Sequence, residues 1–187
     1  LRNGTGGLSL WSAPFSEGKP SQPKLVKADL GVVETIWMTR AGTLYYEIPG
    51  TASTNIYSAE LGANLKASKP ALAVETFVNA NNGPALSPDG QFLAYESFRP
   101  GNEPTLVIQT IRTREEQIVP AKVSIGMMRG IGPMWFPGGH SLLMFSRAPQ
   151  GPGPSFYRID VVTGNAELLH RTRNTLEGYR LSPDGST

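Results

Sequence analysis

One short pattern recurs along the chain at an almost constant interval. A glycine that separates two strand-forming runs occurs at Gly42, Gly90, Gly139 and Gly185, in steps of 48, 49 and 46 residues. A period of 40 to 50 residues is typical of tandem repeats in which each repeat is one supersecondary unit stacked on its neighbours. The interval therefore constrains the fold more than any other feature of the sequence.

The residues before the repeated glycine predict a tight turn. The best copies read Ser-Pro-Asp-Gly, in which Pro fixes φ, Asp hydrogen-bonds nearby backbone amides and Gly adopts the left-handed conformation. The third copy has lost the Asp, and the first has lost both Pro and Asp. We assign structural turns to the following residues: Ser87, Pro88, Asp89 and Gly90, then Gly139, and finally Pro183, Asp184 and Gly185.

Each repeat reads as four short strands bounded by Gly, Pro and Asn, which predicts an all-β fold. The first strand precedes the turn and the second follows it. The predicted second strands are 44–46, 92–95 and 142–145, the third strands are 55–59, 105–109 and 156–161, and the fourth strands are 73–77, 116–119 and 166–169. Four-stranded units in tandem favour the blades of a β-propeller, and a β-sandwich is the alternative.

Composition excludes several classes of protein. Gly 21 and Pro 16 in 187 residues rule out long helices, and the net charge of +2 does not favour a nucleic-acid partner. With Cys 0, the chain has neither a disulfide framework nor a thiolate metal site. No apolar run approaches the roughly 18 residues of a membrane span, so we expect none in this chain.

The Ser-Pro-Asp-Gly pattern, together with the strands around it, resembles the propeller repeat of TolB-like proteins, which are relatives of the WD repeats. The resemblance covers almost the whole chain and is closest at 86–95 and 181–185. It implies a bacterial propeller that closes with six to eight blades. It also implies a periplasmic or extracytoplasmic location, or a sensory segment attached to a kinase or regulator.

We interpret residues 1–187 as a single propeller domain or fragment. The predicted divisions are blade pieces at 1–31, blades at about 32–80, 81–128 and 129–175, and the start of a further blade at 176–187. Two strands, 8–11 and 24–27, precede the first blade, and a lone strand follows the last at 179–181. We therefore expect a partial propeller whose open blade edges allow self-association. Poor burial is expected at both ends for Leu10, Trp11, Val26, Tyr179 and Leu181.

The sequence offers little catalytic chemistry. It contains no Gly-x-Ser-x-Gly nucleophile elbow, and the Ser-x-x-Lys at 16–19 falls in a hairpin loop. His140 and His170 occupy non-equivalent positions, so we expect neither a metal nor a cofactor. Asp89 and Asp184 are expected to cap their own turns. Trp37 and Trp135 are assigned to matching first-strand sites that pack between blades.

In a propeller, the loops from the second to the third strand lie on the same face as the loops between blades. Loops on a rigid scaffold are the usual location of binding sites. The candidate binding residues that this mapping gives are Arg99, Asn102, Met128, Arg129, Arg147, Arg171 and Arg173. Three carboxylates, Glu47, Glu96 and Glu103, lie near the same face and dilute its positive charge.

Three functions are compatible with these features. The leading hypothesis is a non-catalytic binding or sensory module that recognises a protein or small ligand through this face. The alternative is the gating propeller of a prolyl-oligopeptidase-like hydrolase whose catalytic domain lies outside this chain. A third interpretation is a structural scaffold within a multidomain protein.

Overall fold

A computed structural model describes residues 8–30, 33, 36–39, 41–49, 54–62, 66–78, 80–99, 104–125, 132–146, 154–173, 178–182 and 184–185. Strands, turns and irregular segments make up these residues. Within the described ranges, no helix is long and apolar enough to cross a membrane.

The chain begins with a long hairpin and continues with three four-stranded sheets. The strands of the hairpin are β1 (Leu10–Ser12), β2 (Phe15–Ser16), β3 (Lys19–Pro20) and β4 (Lys24–Lys27). The first sheet comprises β5 (Ile36–Met38), β6 (Thr43–Pro49), β7 (Thr54–Glu60) and β8 (Ala71–Leu72). The second comprises β9 (Asn81–Leu86), β10 (Phe92–Ser97), β11 (Thr105–Thr110) and β12 (Glu116–Ile118). The third comprises β13 (Met134–Trp135), β14 (Ser141–Ser146), β15 (Ser155–Asp160) and β16 (Ala166–Arg171).

Each sheet is antiparallel, and its strands lie side by side in sequence order. This is the meander of a propeller blade, so the prediction of an all-β fold built from four-stranded antiparallel sheets is confirmed. The sheets also pack face to face in chain order through two apolar clusters.

The core follows from the two-residue period of the strands. In the second sheet, Leu93 and Tyr95 pack towards the first sheet, beside Tyr45. The intervening Ala94 packs towards the third sheet, beside Trp135. Because alternate side chains serve opposite faces, the second sheet is apolar on both faces and is buried between its neighbours.

The four repeated glycines share one backbone conformation and one type of hydrogen bond. Their φ angles are +93°, +72°, +70° and +71° in chain order. Each N–H donates to the carbonyl three residues earlier, for example Gly90 to Ser87 and Gly185 to Ser182, both at 2.9 Å. The predicted turn geometry is therefore confirmed at all four positions.

The first turn is one residue shorter than the next two. The amide of Thr39 donates to the carbonyl of Thr43, four residues on. The equivalent bonds in the next two sheets span five residues, from Ser87 to Phe92 and from Phe136 to Ser141. Residue Thr43 is therefore the structural equivalent of Phe92.

This one-residue difference corrects the assignment of the tryptophans. Trp37 pairs with Tyr45, whereas Trp135 pairs with Leu142, so the two indoles lie one strand position apart and not at matching sites. Both nevertheless pack between sheets, as predicted. Trp135 donates from Nε1 to the carbonyl of Ala85 at 3.0 Å, and Trp37 contacts the apolar clusters of all three sheets.

Two predicted strands are wrong. The fourth strand of the first sheet is β8, not 73–77, because the chain bends inward there and buries Ala73 and Val74 against the second sheet. The described residues 178–182 form no strand. Instead, the ring of Tyr179 packs edge-on against Phe156 at 5.2 Å between centroids, so side-chain contacts hold this segment in place of a β-ladder.

The two ends of the chain are better covered than expected. Val26 is only 6% exposed, so its predicted exposure is wrong, and Leu10, Tyr179 and Leu181 are half-buried. Trp11 is the exposed member of this set, at 41%. Leu10 packs on the outer face of the first sheet, and Tyr179 and Leu181 pack on the outer face of the third. Each terminal segment thus covers the nearest open face.

Candidate functional site on the loop face

We call the loop face the end of the sheets where β6, β10 and β14 finish and where the chain crosses from one sheet to the next. Three of the seven predicted binding residues are described. Arg99 follows β10 by two residues, Arg171 ends β16, and Arg173 lies two residues further on, with Arg171 and Arg173 exposed. The other four lie outside the described residues: Asn102, Met128, Arg129 and Arg147.

Arg99 is held in place by two neighbours. Its Nη2 donates to Oε2 of Glu116 at 2.8 Å, and its guanidinium carbon lies 4.6 Å from the centroid of the Phe77 ring. The side chain is only 18% exposed. The hydroxyl of Thr76 donates to the other oxygen of Glu116. Through Phe77, Arg99 therefore contacts the segment that connects the first sheet to the second. Arg99 itself lies on the loop face.

The connection from the first sheet to the second is strained at Phe77, and hydrogen bonds from neighbouring side chains hold it. Phe77 has a φ of +46°, a left-handed conformation that costs a bulky residue about 1–3 kcal/mol. The side-chain Nδ2 of Asn81 donates to the backbone carbonyls of Thr76 and Phe77 at 2.8 and 3.1 Å. In turn, Ser97 donates to Oδ1 of Asn81 at 2.7 Å. Because the surrounding residues dictate this conformation, the loop presents Phe77 in a fixed position.

Three apolar side chains protrude around Arg99, and we call them the apolar rim. Phe77, Val78 and Phe98 are 40%, 44% and 44% exposed. The amide of Phe98 donates to the carbonyl of Ala80 at 2.8 Å, which holds the two parts of the rim together. Sequence reasoning missed the rim. The available signal was a pair of large apolar residues in a connection, where polar residues are usual.

Two carboxyl groups are buried beneath the loop face. Glu47 and Glu96 occupy equivalent positions near the ends of β6 and β10, and they are 0% and 1% exposed. Oε2 of Glu47 accepts a hydrogen bond from the amide of Gly83 at 3.0 Å. Oε2 of Glu96 has no hydrogen-bond partner among the described residues. Their burial removes them from the exposed charge of the loop face.

Burial raises the pKa of Glu96 well above its ordinary value, and the charge of Glu47 raises it further. Glu96 therefore holds its proton at a pH where a solvated glutamate is ionised. A protonated carboxyl can donate a hydrogen bond, whereas an ionised one can only accept.

The other candidate residues behave as structural groups. Oδ1 of Asp89 accepts from the Ser87 hydroxyl and the Gln91 amide at 2.6 and 3.0 Å, and Asp184 accepts from Ser182 at 2.7 Å. Asp89 therefore caps its own turn, as predicted, and Asp184 accepts the equivalent side-chain bond in its turn. His140 and His170 are exposed, and the part of the chain that the structure describes contains no group of three or more metal-ligating side chains.

The predicted hairpin at 16–19 is confirmed. Ser16 and Lys19 lie opposite each other in β2 and β3. The two residues between them, Glu17 and Gly18, have φ angles of +50° and +77°, the pattern of a two-residue hairpin turn. The Ser-x-x-Lys match therefore does not start a helix, and it gives no catalytic pair.

No protein-family model and no curated protein matches the sequence. Solved structures do match. TolB from Acinetobacter baumannii superposes with a TM-score of 0.66 and 24% identity, over 95% of this chain and 41% of that chain. The putative TolB from Agrobacterium tumefaciens gives 0.57 and 16%, over 89% of this chain and 62% of that one. A puromycin-hydrolyzing peptidase from Mycobacterium tuberculosis gives 0.57 and 19%, over 85% and 24%.

These similarities identify the architecture as a TolB-like β-propeller fold. The chain spans less than two thirds of either TolB structure. Three four-stranded sheets in a continuous stack agree with part of a larger ring. At these identities the likeness concerns the fold, and function depends on the site itself.

Proposed function

We propose that this chain, which has a TolB-like propeller fold, is a non-catalytic binding module that contacts a protein partner through its loop face. The observation that carries the proposal is the apolar rim of Phe77, Val78 and Phe98 around the fixed Arg99. Aromatic residues and arginine are enriched in the centres of protein interfaces, and exposed apolar side chains that cluster together mark interaction sites.

The rim is also pre-organised. Asn81 and Ser97 hold the strained loop, and the ion pair with Glu116 holds Arg99. Pre-organised side chains lose little conformational entropy when a partner binds, which increases affinity. Strain that persists in an exposed loop is a frequent property of binding sites.

Site-specific photo-crosslinking in cells that express the protein tests the proposal. A benzoylphenylalanine introduced at position 77 should give a discrete adduct with a partner protein. The matched control is the same amino acid at position 15, because Phe15 is a 71% exposed aromatic residue on the N-terminal hairpin. Equal adducts at both positions, or adducts at position 15 alone, would contradict a loop-face interface.

A second candidate function is the propeller domain of a larger peptidase. Two similar structures favour it, the puromycin-hydrolyzing peptidase and an acylaminoacyl peptidase from Pyrococcus horikoshii with a TM-score of 0.51. A coding sequence that continues into a domain with Gly-x-Ser-x-Gly and a later histidine would support this alternative. Under either function, we expect this chain by itself to hydrolyse neither ester nor peptide substrates.

A further inference from the structure

We propose that a groove between the first and second sheets, on the face opposite the apolar rim, binds a small aromatic ligand that carries an amine. We call it the turn groove. Its volume is about 620 Å³, within the range of roughly 300–1,000 Å³ that small-molecule sites occupy. The lining residues used in the argument are Trp37, Thr43, Tyr45, Leu86, Asp89 and Ile111.

The groove exists because two side chains are small where their equivalents are large. The shorter first turn makes Thr43 the equivalent of Phe92, and the strand register makes Leu86 the equivalent of Trp135. Between the second and third sheets, Phe92 and Trp135 both pack into the shared core. Thr43 and Leu86 leave the corresponding space between the first and second sheets open.

Three of the hydroxyl groups that line the groove, those of Thr39, Thr43 and Ser87, are already engaged in hydrogen bonds. The hydroxyl of Thr43 donates to Glu60 at 2.8 Å, and Oγ1 of Thr39 accepts from the Thr43 amide at 2.9 Å. Ser87 is occupied by its bond to Asp89. Two aromatic residues, Trp37 and Tyr45, are among those that line the groove. Trp37 is half-buried and Tyr45 is only 6% exposed, so Trp37 supplies most of the aromatic surface that a flat ligand ring would contact.

Asp89 supplies the charge complementarity. It is the only charged side chain that lines the groove within the described ranges. The bonds from Ser87 and from the Gln91 amide lower the pKa of Asp89, so it is ionised at neutral pH. Both of these bonds engage Oδ1, and the carboxylate as a whole is exposed, so a cationic ligand can approach it. A carboxylate beside apolar lining residues favours a ligand in which an ammonium group is attached to an aromatic ring.

Binding of three indoles that differ in charge tests the proposal: tryptamine, tryptophol and indole-3-acetate. Isothermal titration and two-dimensional NMR of the chain should show tryptamine binding about threefold more tightly than neutral tryptophol, the effect expected of one exposed ion pair. Indole-3-acetate should bind most weakly. Resonances of Trp37 and Ile111 should shift. The absence of binding by all three indoles would overturn the proposal, as would equal affinity for all three.

Variants locate the site. Thr43→Phe should fill the groove as Phe92 fills its equivalent, and binding should be lost while the melting temperature is retained. Asp89→Asn keeps a turn-forming residue but removes the charge, so tryptamine should fall to the affinity of tryptophol. The control is Asp184→Asn, because Asp184 accepts the equivalent bond from Ser182 in a turn outside the groove. An unchanged tryptamine preference in Asp89→Asn would overturn the assignment, even if Thr43→Phe failed to fold.

Discussion

Gly83 and Gly132 are in direct contact across the boundary between the second and third sheets. A Cβ atom built on Gly132 would lie 2.5 Å from the Cα of Gly83, and one built on Gly83 would lie 2.7 Å from the Cα of Gly132. Neither distance is tolerated by real side chains. The close approach places the Gly83 amide against buried Glu47, and the Gly132 carbonyl accepts from the Tyr179 hydroxyl at 2.6 Å.

The first prediction concerns this contact. Gly132→Ala should reduce the free energy of unfolding by about 1–3 kcal/mol, because backbone must move to admit the methyl group. Chemical denaturation monitored by circular dichroism measures the loss. Gly178→Ala is the matched control, since Gly178 is the equivalent residue one repeat later and has open space around it. Equal losses in the two variants would contradict the inferred packing.

The second prediction separates backbone conformation from packing in one turn. Gly139 has a φ of +70° with open space at its Cβ position, whereas the neighbouring Gly138 lies outside the left-handed region. Gly139→Ala should therefore cost about 1–2 kcal/mol, the penalty of left-handed backbone for an L-residue. Gly138→Ala should be neutral or slightly stabilising. Thermal unfolding of the two variants checks the difference, and a reversed order would refute the turn assignment.

The third prediction is a pH dependence due to Glu96. Its pKa is raised in the folded state, so folding binds a proton and stability falls as pH rises above the ordinary glutamate range. Glu96→Gln has no proton to lose, and it should unfold several degrees above the wild type at pH 8. The gap should close as pH falls below the ordinary glutamate pKa of about 4.3, where Glu96 becomes protonated in both states.

The control for the third prediction is Glu167→Gln, because Glu167 is exposed on β16. This variant should follow the wild-type pH profile within about 0.5 kcal/mol, as is usual for surface substitutions. If Glu96→Gln were instead destabilising at pH 8, the carboxylate would have to be ionised and paired in the folded protein.

The fourth prediction concerns the support of the apolar rim. Asn81→Ala removes the donor to the carbonyls of Thr76 and Phe77, and it should cost about 1–3 kcal/mol for unsatisfied buried groups. It should also increase hydrogen exchange at 76–80. Asn165→Ala is the control, since Asn165 is exposed. Unchanged hydrogen exchange at 76–80 in Asn81→Ala would show that the side-chain amide of Asn81 does not hold the loop.

The sequence by itself determined the repeat, the all-β class and the four turns. These features depend on local chemistry: a glycine at positive φ, a proline that fixes the turn, and alternation between the two faces of a strand. Local signals predicted eight of the nine second, third and fourth strands of the three sheets, and they assigned Asp89 and Asp184 to the turns. They failed at 73–77 and 179–181, where packing against other segments decides whether a strand forms.

Only the tertiary structure decided which side chains meet. It buried Glu47 and Glu96, fixed Arg99 between Phe77 and Glu116, and exposed the apolar rim. The first turn is one residue shorter than the next two, which separates Trp37 from the site of Trp135 and opens the turn groove beside Thr43. These outcomes depend on contacts between residues that are distant in sequence. The residue pattern of a single strand does not predict which side chains of the next sheet will pack against it.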